Sequence, residues 1–155
     1  HHQSPAMGVM VELPATLAII DELAAESDFF AVGTNDLTQY LLGVDRANPQ
    51  VAAYYRSDHP AVLRGLNRIV EAADAAGIPV SVCGEMTHST GQLAFLVGIG
   101  VTDFSVTPSF LPQVQQAIAQ LSADEARTFA HRLLAEGSLA GVERVMAATR
   151  FHTAA

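Results

Sequence analysis

Residues 29–46 read FFAVGTNDLTQYLLGVDR. An apolar run of strand character stops at Gly33, and Thr34, Asn35 and Asp36 stand where the chain turns into a new helix. A polar triplet at the C-terminal end of a buried strand is where parallel α/β proteins place their chemistry. Two other apolar runs finish the same way. GVMVE (residues 8–12) closes on Glu12, and PVSVCGE (residues 79–85) closes on Cys83, Gly84 and Glu85. Three strands delivering a carboxylate, an Asn-Asp pair and a thiol to one rim point to a single site.

Outward from that stretch, strands are predicted at 9–12, 29–32, 79–83 and 103–106, the first apolar throughout and therefore expected to be buried on both faces, as parallel strands are. Pro14 suits the first turn of a helix running to about Ser27, and Pro60 and Pro112 open later helices. Asp36 is placed to cap the short helix that ends near Gly43, and Gly77 to stop the helix opened by Pro60. A further helix is predicted at 90–98. The alternation β-α-β-α-β-α-β-α is the signature of a parallel sheet with crossover helices. The tail reads differently. Ser122 and Glu125 form a capping-box pattern, a helix follows with Phe129, Leu133 and Leu134 on one face, Gly137 breaks it, and a last helix covers 139–148. This is expected to be a helical appendage. The longest irregular stretch, 45–58, carries Tyr54 and Tyr55, and long connections on a compact scaffold are often functional.

The chain has 155 residues, half of them hydrophobic, which is enough for one domain with a buried core. A net charge of −8, spread along the chain, disfavours nucleic acid, which demands clustered Lys and Arg, but leaves a basic protein partner open. No apolar run reaches the roughly 20 residues of a membrane span. A lone cysteine excludes an internal disulfide, and with no signal peptide visible a reducing cytoplasm is expected. Residues 1–6, HHQSPA, look like the remnant of an affinity tag, so the chain reads as a cut-down piece of something longer.

Taken residue by residue, Glu12 is either a solvated loop acid or, with Asp36, half of a site for a hard divalent cation. Mg²⁺ accepts one or two carboxylates and completes its octahedron with water and substrate phosphate. Asn35 and Asp36 alone would read as a plain helix cap. Cys83 is an inert buried thiol, a proton donor to a carbanion, or a nucleophile. Arg46 either pairs with Asp45 or offers a planar fork to phosphate or carboxylate. His59 reads as a helix-start residue. His88 is better placed, on the loop after the third strand, but is weak evidence alone. His131 and His152 look structural or exposed.

Together, the segment ending at Glu12, Gly33 to Tyr40, Val44-Asp45-Arg46, His59 to Leu63 and Cys83 to Met86 resemble the phosphoenolpyruvate-utilising enzymes. They are most similar to the phosphoenolpyruvate–protein phosphotransferases (enzyme I of the phosphotransferase system). The helices after Gln120 resemble that group's nitrogen-related branch. The resemblance implies that residues 7–120 are the second half of a TIM-type (β/α)₈ barrel, with 121–155 as a helical extension. It implies Mg²⁺ on Glu12 and Asp36, phosphate contacts at Asn35 and the neighbouring backbone, Asp36 among the substrate-binding residues, a substrate-binding guanidinium at Arg46, and proton transfer by Cys83. The implied substrate is phosphoenolpyruvate. Its phosphoryl group passes to a histidine on another domain of the full-length protein and on to a histidine-carrier protein, leaving pyruvate.

The chain departs from the family pattern at Thr87-His88-Ser89, which replace a small-residue segment, and in lacking the arginines of earlier barrel strands. The isolated chain is therefore expected to be inactive, or able only to hold Mg²⁺ weakly, and, with a barrel flank exposed, to self-associate. The alternatives are a barrel fragment of a pyruvate phosphate dikinase or phosphoenolpyruvate synthase, and a non-catalytic dimerisation module.

Overall fold

A computed structural model describes residues 4–149 and 151. His1, His2, Gln3 and His152 thus lie outside the described residues. Four strands, β1 (Gly8–Val11), β2 (Phe29–Gly33), β3 (Val80–Cys83) and β4 (Asp103–Ser105), form one sheet in the order β1-β2-β3-β4. Every pairing is parallel. Between β1 and β2 lie α1 (Pro14–Leu17) and α2 (Ile20–Ala25), and between β2 and β3 lie α3 (Thr34–Leu42) and α4 (Pro60–Ala76). α5 (Thr90–Gly98) links β3 to β4, and α6 (Leu111–Gln120), α7 (Ala123–Ala135) and α8 (Leu139–Ala148) follow.

The punctuation read from the sequence sets most of these bounds. Gly43 and Gly77 take left-handed conformations, φ 62° and 71°, and close α3 and α4 with backbone N–H groups bonded back into the last turn. His59 caps α4, its Nδ1 accepting from the Ala61 N–H at 3.1 Å. Ser122 Oγ accepts from the Glu125 N–H at 3.5 Å, and Ser138 Oγ from the Gly141 N–H at 3.2 Å. Two expectations need correction. The first helix is split at Ile19 (φ −128°, ψ 28°), where the adjacent β-branched residues Ile19 and Ile20 disfavour helix. Asp36 does not cap α3. Gly33 holds the N-cap position and Asp36 lies in the first turn.

A larger correction concerns the sheet, which is buried on one face only. The register aligns Val11, Val32, Val82 and Phe104, and Val9, Phe30 and Val80 one pleat away. Val11, Phe30, Val32 and Val82 share a core with Leu63, Leu66, Ile69, Phe95 and Leu96 of the helices. The intervening row, Met10, Ala31, Ser81 and Asp103, points the other way, where Met10 is 49% and Phe29 38% exposed. Strands in sequential order with right-handed crossovers place every helix on the same side of the sheet. The opposite face therefore has no cover from these helices.

α7 packs along α5 at a point that only glycine permits. A Cβ on Gly98 would run into the Ala126 carbonyl oxygen. Phe129 and Leu133 of α7 and Val142 and Val145 of α8 belong to the same core as the sheet. Arg64 Nη2 of α4 donates to the Glu136 carbonyl at 3.0 Å, tying the end of α7 down.

Candidate functional site

Parallel strands in register bring their C-terminal ends to one rim. Gly33, Cys83 and Ser105 are aligned across β2, β3 and β4, and Glu12 follows Val11 at the corresponding edge of β1. Glu12 lies across the bare backbone of Gly33, where an added Cβ would sit 2.9 Å from Oε2. Among the described residues its carboxylate has no ion pair.

Asn35 is built into this rim rather than spent on capping its own helix. Its side-chain Oδ1 accepts from the Glu85 N–H at 3.0 Å, across the β2–β3 boundary. With the carbonyl end occupied, the amide NH₂ is the end left to meet an anion. Thr34 Oγ1 donates to the Cys83 carbonyl at 2.8 Å and stitches the same two strand ends together. Gly84, at φ 115°, serves both contacts. The conformation disfavours any side chain, and a Cβ there would collide with Thr34 Oγ1 and come within 2.9 Å of Asn35 Oδ1.

The long loop after α3 contributes from the flank. Arg46 Nη2 lies 3.6 Å from Asp36 Oδ1, with both side chains about 40% exposed (39% and 41%), a loose and solvent-screened pair that a ligand can divide. The expected partner Asp45 instead accepts from the Ala47 N–H at 2.8 Å. Tyr55 Oη donates to the Asn35 carbonyl at 3.2 Å. Burial raises the phenol above its ordinary pKa, opposed by the nearby Thr38 hydroxyl and Arg46 guanidinium. The buried Thr38 hydroxyl closes no hydrogen bond of normal geometry.

Cys83 sits between these groups, half-buried, with Sγ donating to the Val32 carbonyl at 3.5 Å. Burial, and then the negative charges of Glu12 and Asp36, push its thiol above the ordinary value. At neutral pH it therefore keeps its proton, which favours a proton donor over a thiolate nucleophile.

Beside the thiol, toward β4, opens a cleft of about 460 Å³ lined by Asn35, Cys83, Gly84, Glu85, His88 and the loop 105–107. Glu12, Asp36 and Arg46 do not line it. Glu12 and Asp36 follow β1 and β2 and are close enough to act on the thiol's charge, and Arg46 lies beside Asp36. A hollow of about 410 Å³ beside α7 shares no residue with the rim. Of the five residues singled out from the sequence, Glu12 and Cys83 stand at the C-terminal ends of β1 and β3, Asn35 and Asp36 in the first turn of α3 directly after β2, and Arg46 in the loop after α3 beside Asp36. His59 caps a helix and His131 lies on α7. Sequence reasoning placed Thr34 in the polar triplet and Tyr55 in the long loop without giving either a role, and it missed the wall formed by Ser105 and Thr107.

Residues 1–123 match the family described as PEP-utilising enzyme, PEP-binding domain. The chain is 38% identical over 144 residues to multiphosphoryl transfer protein 2 of Escherichia coli (strain K12), covering 93% of this chain and 17% of that protein. It is 38% identical over 141 residues to phosphoenolpyruvate-protein phosphotransferase of Bacillus subtilis (strain 168), covering 91% and 24%. It is 36% identical over 145 residues to phosphoenolpyruvate-protein phosphotransferase of Haloferax volcanii, covering 94% and 26%. The chain spans about a quarter or less of the length of these curated relatives. Among the described residues no helix is long and apolar enough to cross a membrane.

Proposed function

The chain belongs to the PEP-utilising enzymes through their PEP-binding domain, and we propose that its strand-end rim holds phosphoenolpyruvate with Mg²⁺ in a phosphoenolpyruvate–protein phosphotransferase. The observation that carries this reading is the meeting of Asn35, Asp36, Glu12 and Cys83 at one end of a parallel sheet. The four β/α units then form the second half of a (β/α)₈ barrel, whose chemistry belongs at the C-terminal ends of its strands.

The donor set fits Mg²⁺. Glu12 and Asp36 are hard oxygen ligands near the same thiol. Among the described residues no three His, Cys, Asp or Glu side chains cluster as a metal site. Two carboxylates completed by water and phosphate oxygens are a normal Mg²⁺ shell. When bound, the ion offsets negative charge on phosphate and enolate oxygens.

The chain's own groups have distinct parts. The Asn35 amide donates to phosphate oxygens, and the Arg46 guanidinium, released from Asp36, grips the ligand's anionic end. As the P–O bond breaks, the phosphoryl group moves to a histidine nitrogen on another domain, and the enol oxygen keeps the bonding pair. The Cys83 thiol, still protonated, gives its proton to the methylene carbon and so forms pyruvate. A histidine-carrier protein then receives the phosphoryl group in the cytoplasm. Turnover needs parts of the whole protein that this chain does not contain, so the isolated chain binds without turning over. The uncovered sheet face, with Met10 and Phe29 exposed, favours self-association into a homo-oligomer.

Calorimetric titration of the chain with phosphoenolpyruvate, with and without Mg²⁺, tests the reading. Binding that requires the ion and weakens in Asn35→Ala is expected. Ion-independent binding, unchanged in that variant, would overturn it.

A further inference from the structure

We propose that Glu143 of the helical extension is a positioning residue for the strand-end rim, holding through Arg56 the loop that braces Asn35; the proposal rests on the phosphoenolpyruvate reading above. Three consecutive residues near the end of the loop after α3 reach three different elements. Tyr55 Oη donates to the Asn35 carbonyl of α3 at 3.2 Å. Arg56 Nη2 donates to Glu143 Oε1 of α8 at 2.8 Å. Ser57 Oγ accepts from Gln92 Nε2 of α5 at 2.6 Å. The backbone at Tyr55 is extended (φ −73°, ψ 100°), which sends neighbouring side chains to different sides.

Arg56 is also gripped by Asp58, Nε to Oδ1 at 2.9 Å and Nη2 to Oδ2 at 2.8 Å. Asp58 lies two residues along the same loop, so that fork stiffens the loop without joining it to another element. Glu143, 87 residues away in sequence, makes the join. Its side chain is 55% exposed, and a solvent-screened pair of this kind adds little to folding stability. What the contact supplies is a fixed direction for the loop. The consequence falls on the rim because Tyr55 stands directly before Arg56. Its hydroxyl holds the backbone of Asn35, whose side chain spans the β2–β3 boundary, and it lies near the guanidinium of Arg46, which the same loop carries. A loop released from α8 lets the Tyr55 hydroxyl withdraw, and the placement of Asn35 and Arg46 loosens with it. Glu143 itself does not line the cleft, so the helices after Gln120 act on ligand affinity from outside the site.

The test is a double-mutant cycle on the whole chain, titrating phosphoenolpyruvate by calorimetry at saturating Mg²⁺ into the parent, Glu143→Ala, Tyr55→Phe and the double variant. Each single change should weaken binding about threefold, and the double variant about threefold again, not the roughly ninefold of independent effects. The thermal midpoint of Glu143→Ala should stay within about 2 °C of the parent. In the ligand-free chain, the NMR signal of the Asp36 backbone N–H reports the peptide whose carbonyl Tyr55 holds. It should move in Glu143→Ala in the same direction as in Tyr55→Phe. Parent-like binding by Glu143→Ala, multiplicative losses in the double variant, or an unmoved Asp36 signal overturns the coupling. Weakened binding that comes with a clearly lowered thermal midpoint marks Glu143 as merely structural and overturns it too. The phosphoenolpyruvate reading survives all of these results as long as Asp36→Asn weakens Mg²⁺-dependent binding. A parent chain that shows no Mg²⁺-dependent binding overturns that reading and this proposal together.

Discussion

Phe29 and Phe30 are neighbours in β2 with the same side chain, and they lead opposite lives. Phe30 is fully buried against the helices, whereas Phe29 is 38% exposed on the uncovered face, its ring resting on Gly8 of the adjacent strand. One pleat separates them. The difference shows a chain whose folding is completed on one side of the sheet, while the other side presents apolar side chains without helices to cover them. The same pleat that buries Val11, Val32 and Val82 sends the Glu12, Gly33, Cys83 and Ser105 row to the open side. The site therefore belongs to the face that the helices leave free.

The sharpest way to break this comparison is to truncate both phenylalanines. Phe30→Ala should cost about 3–5 kcal/mol of unfolding free energy, and Phe29→Ala about 1 kcal/mol or less. Denaturant titrations giving equal losses would show that the open face is covered after all. Next in size, Gly98→Ala drives a methyl group into the Ala126 carbonyl and should destabilise the chain by about 1–3 kcal/mol by parting α5 from α7. A neutral result there would separate α7 from the core. Gly33→Ala meets the carboxylate of Glu12 most closely, at 2.9 Å, and its Cβ at 3.2 Å, so thermal stability should fall only modestly while Mg²⁺ affinity drops as the carboxylate is displaced. That variant separates the rim from the fold.

The smallest expected effect is in pH. Burial, with Glu12 and Asp36 nearby, raises the folded-state pKa of Cys83. The unfolded chain then loses this thiol proton first as pH rises. The thiol's contribution to stability is complete below the ordinary thiol range and is lost as pH climbs through the raised folded value. Cys83→Ala should remove that part of the alkaline decline in urea titrations, and an unchanged slope would show that the thiol titrates normally.

Much of this was legible because proline and glycine punctuate the chain. Pro60 and Gly77 bound α4, Thr90–Gly98 and Leu139–Ala148 form where the pattern placed them, and the ends of the apolar runs mark the rim. Other features were not legible, for physical reasons. Short apolar strands look alike whether one face or two are covered, so Met10 and Phe29 read as core. The break at Ile19 turns on backbone angles that helical spacing does not encode. In the loop after α3, nothing local separates Tyr54, 70% exposed, from Tyr55, which reaches the Asn35 carbonyl. Cross-strand ties such as Thr34 to Cys83 depend on register, which emerges only when the strands pair.

The most direct test is Mg²⁺-dependent phosphoenolpyruvate binding by calorimetry, comparing the parent chain with Asp36→Asn at matched thermal stability. Removing one ligand charge should weaken the ion-dependent binding by about tenfold or more, with residual ion-independent binding unchanged. Equal affinity and equal Mg²⁺ dependence in the two chains would contradict a metal-assisted phosphoenolpyruvate site at these strand ends.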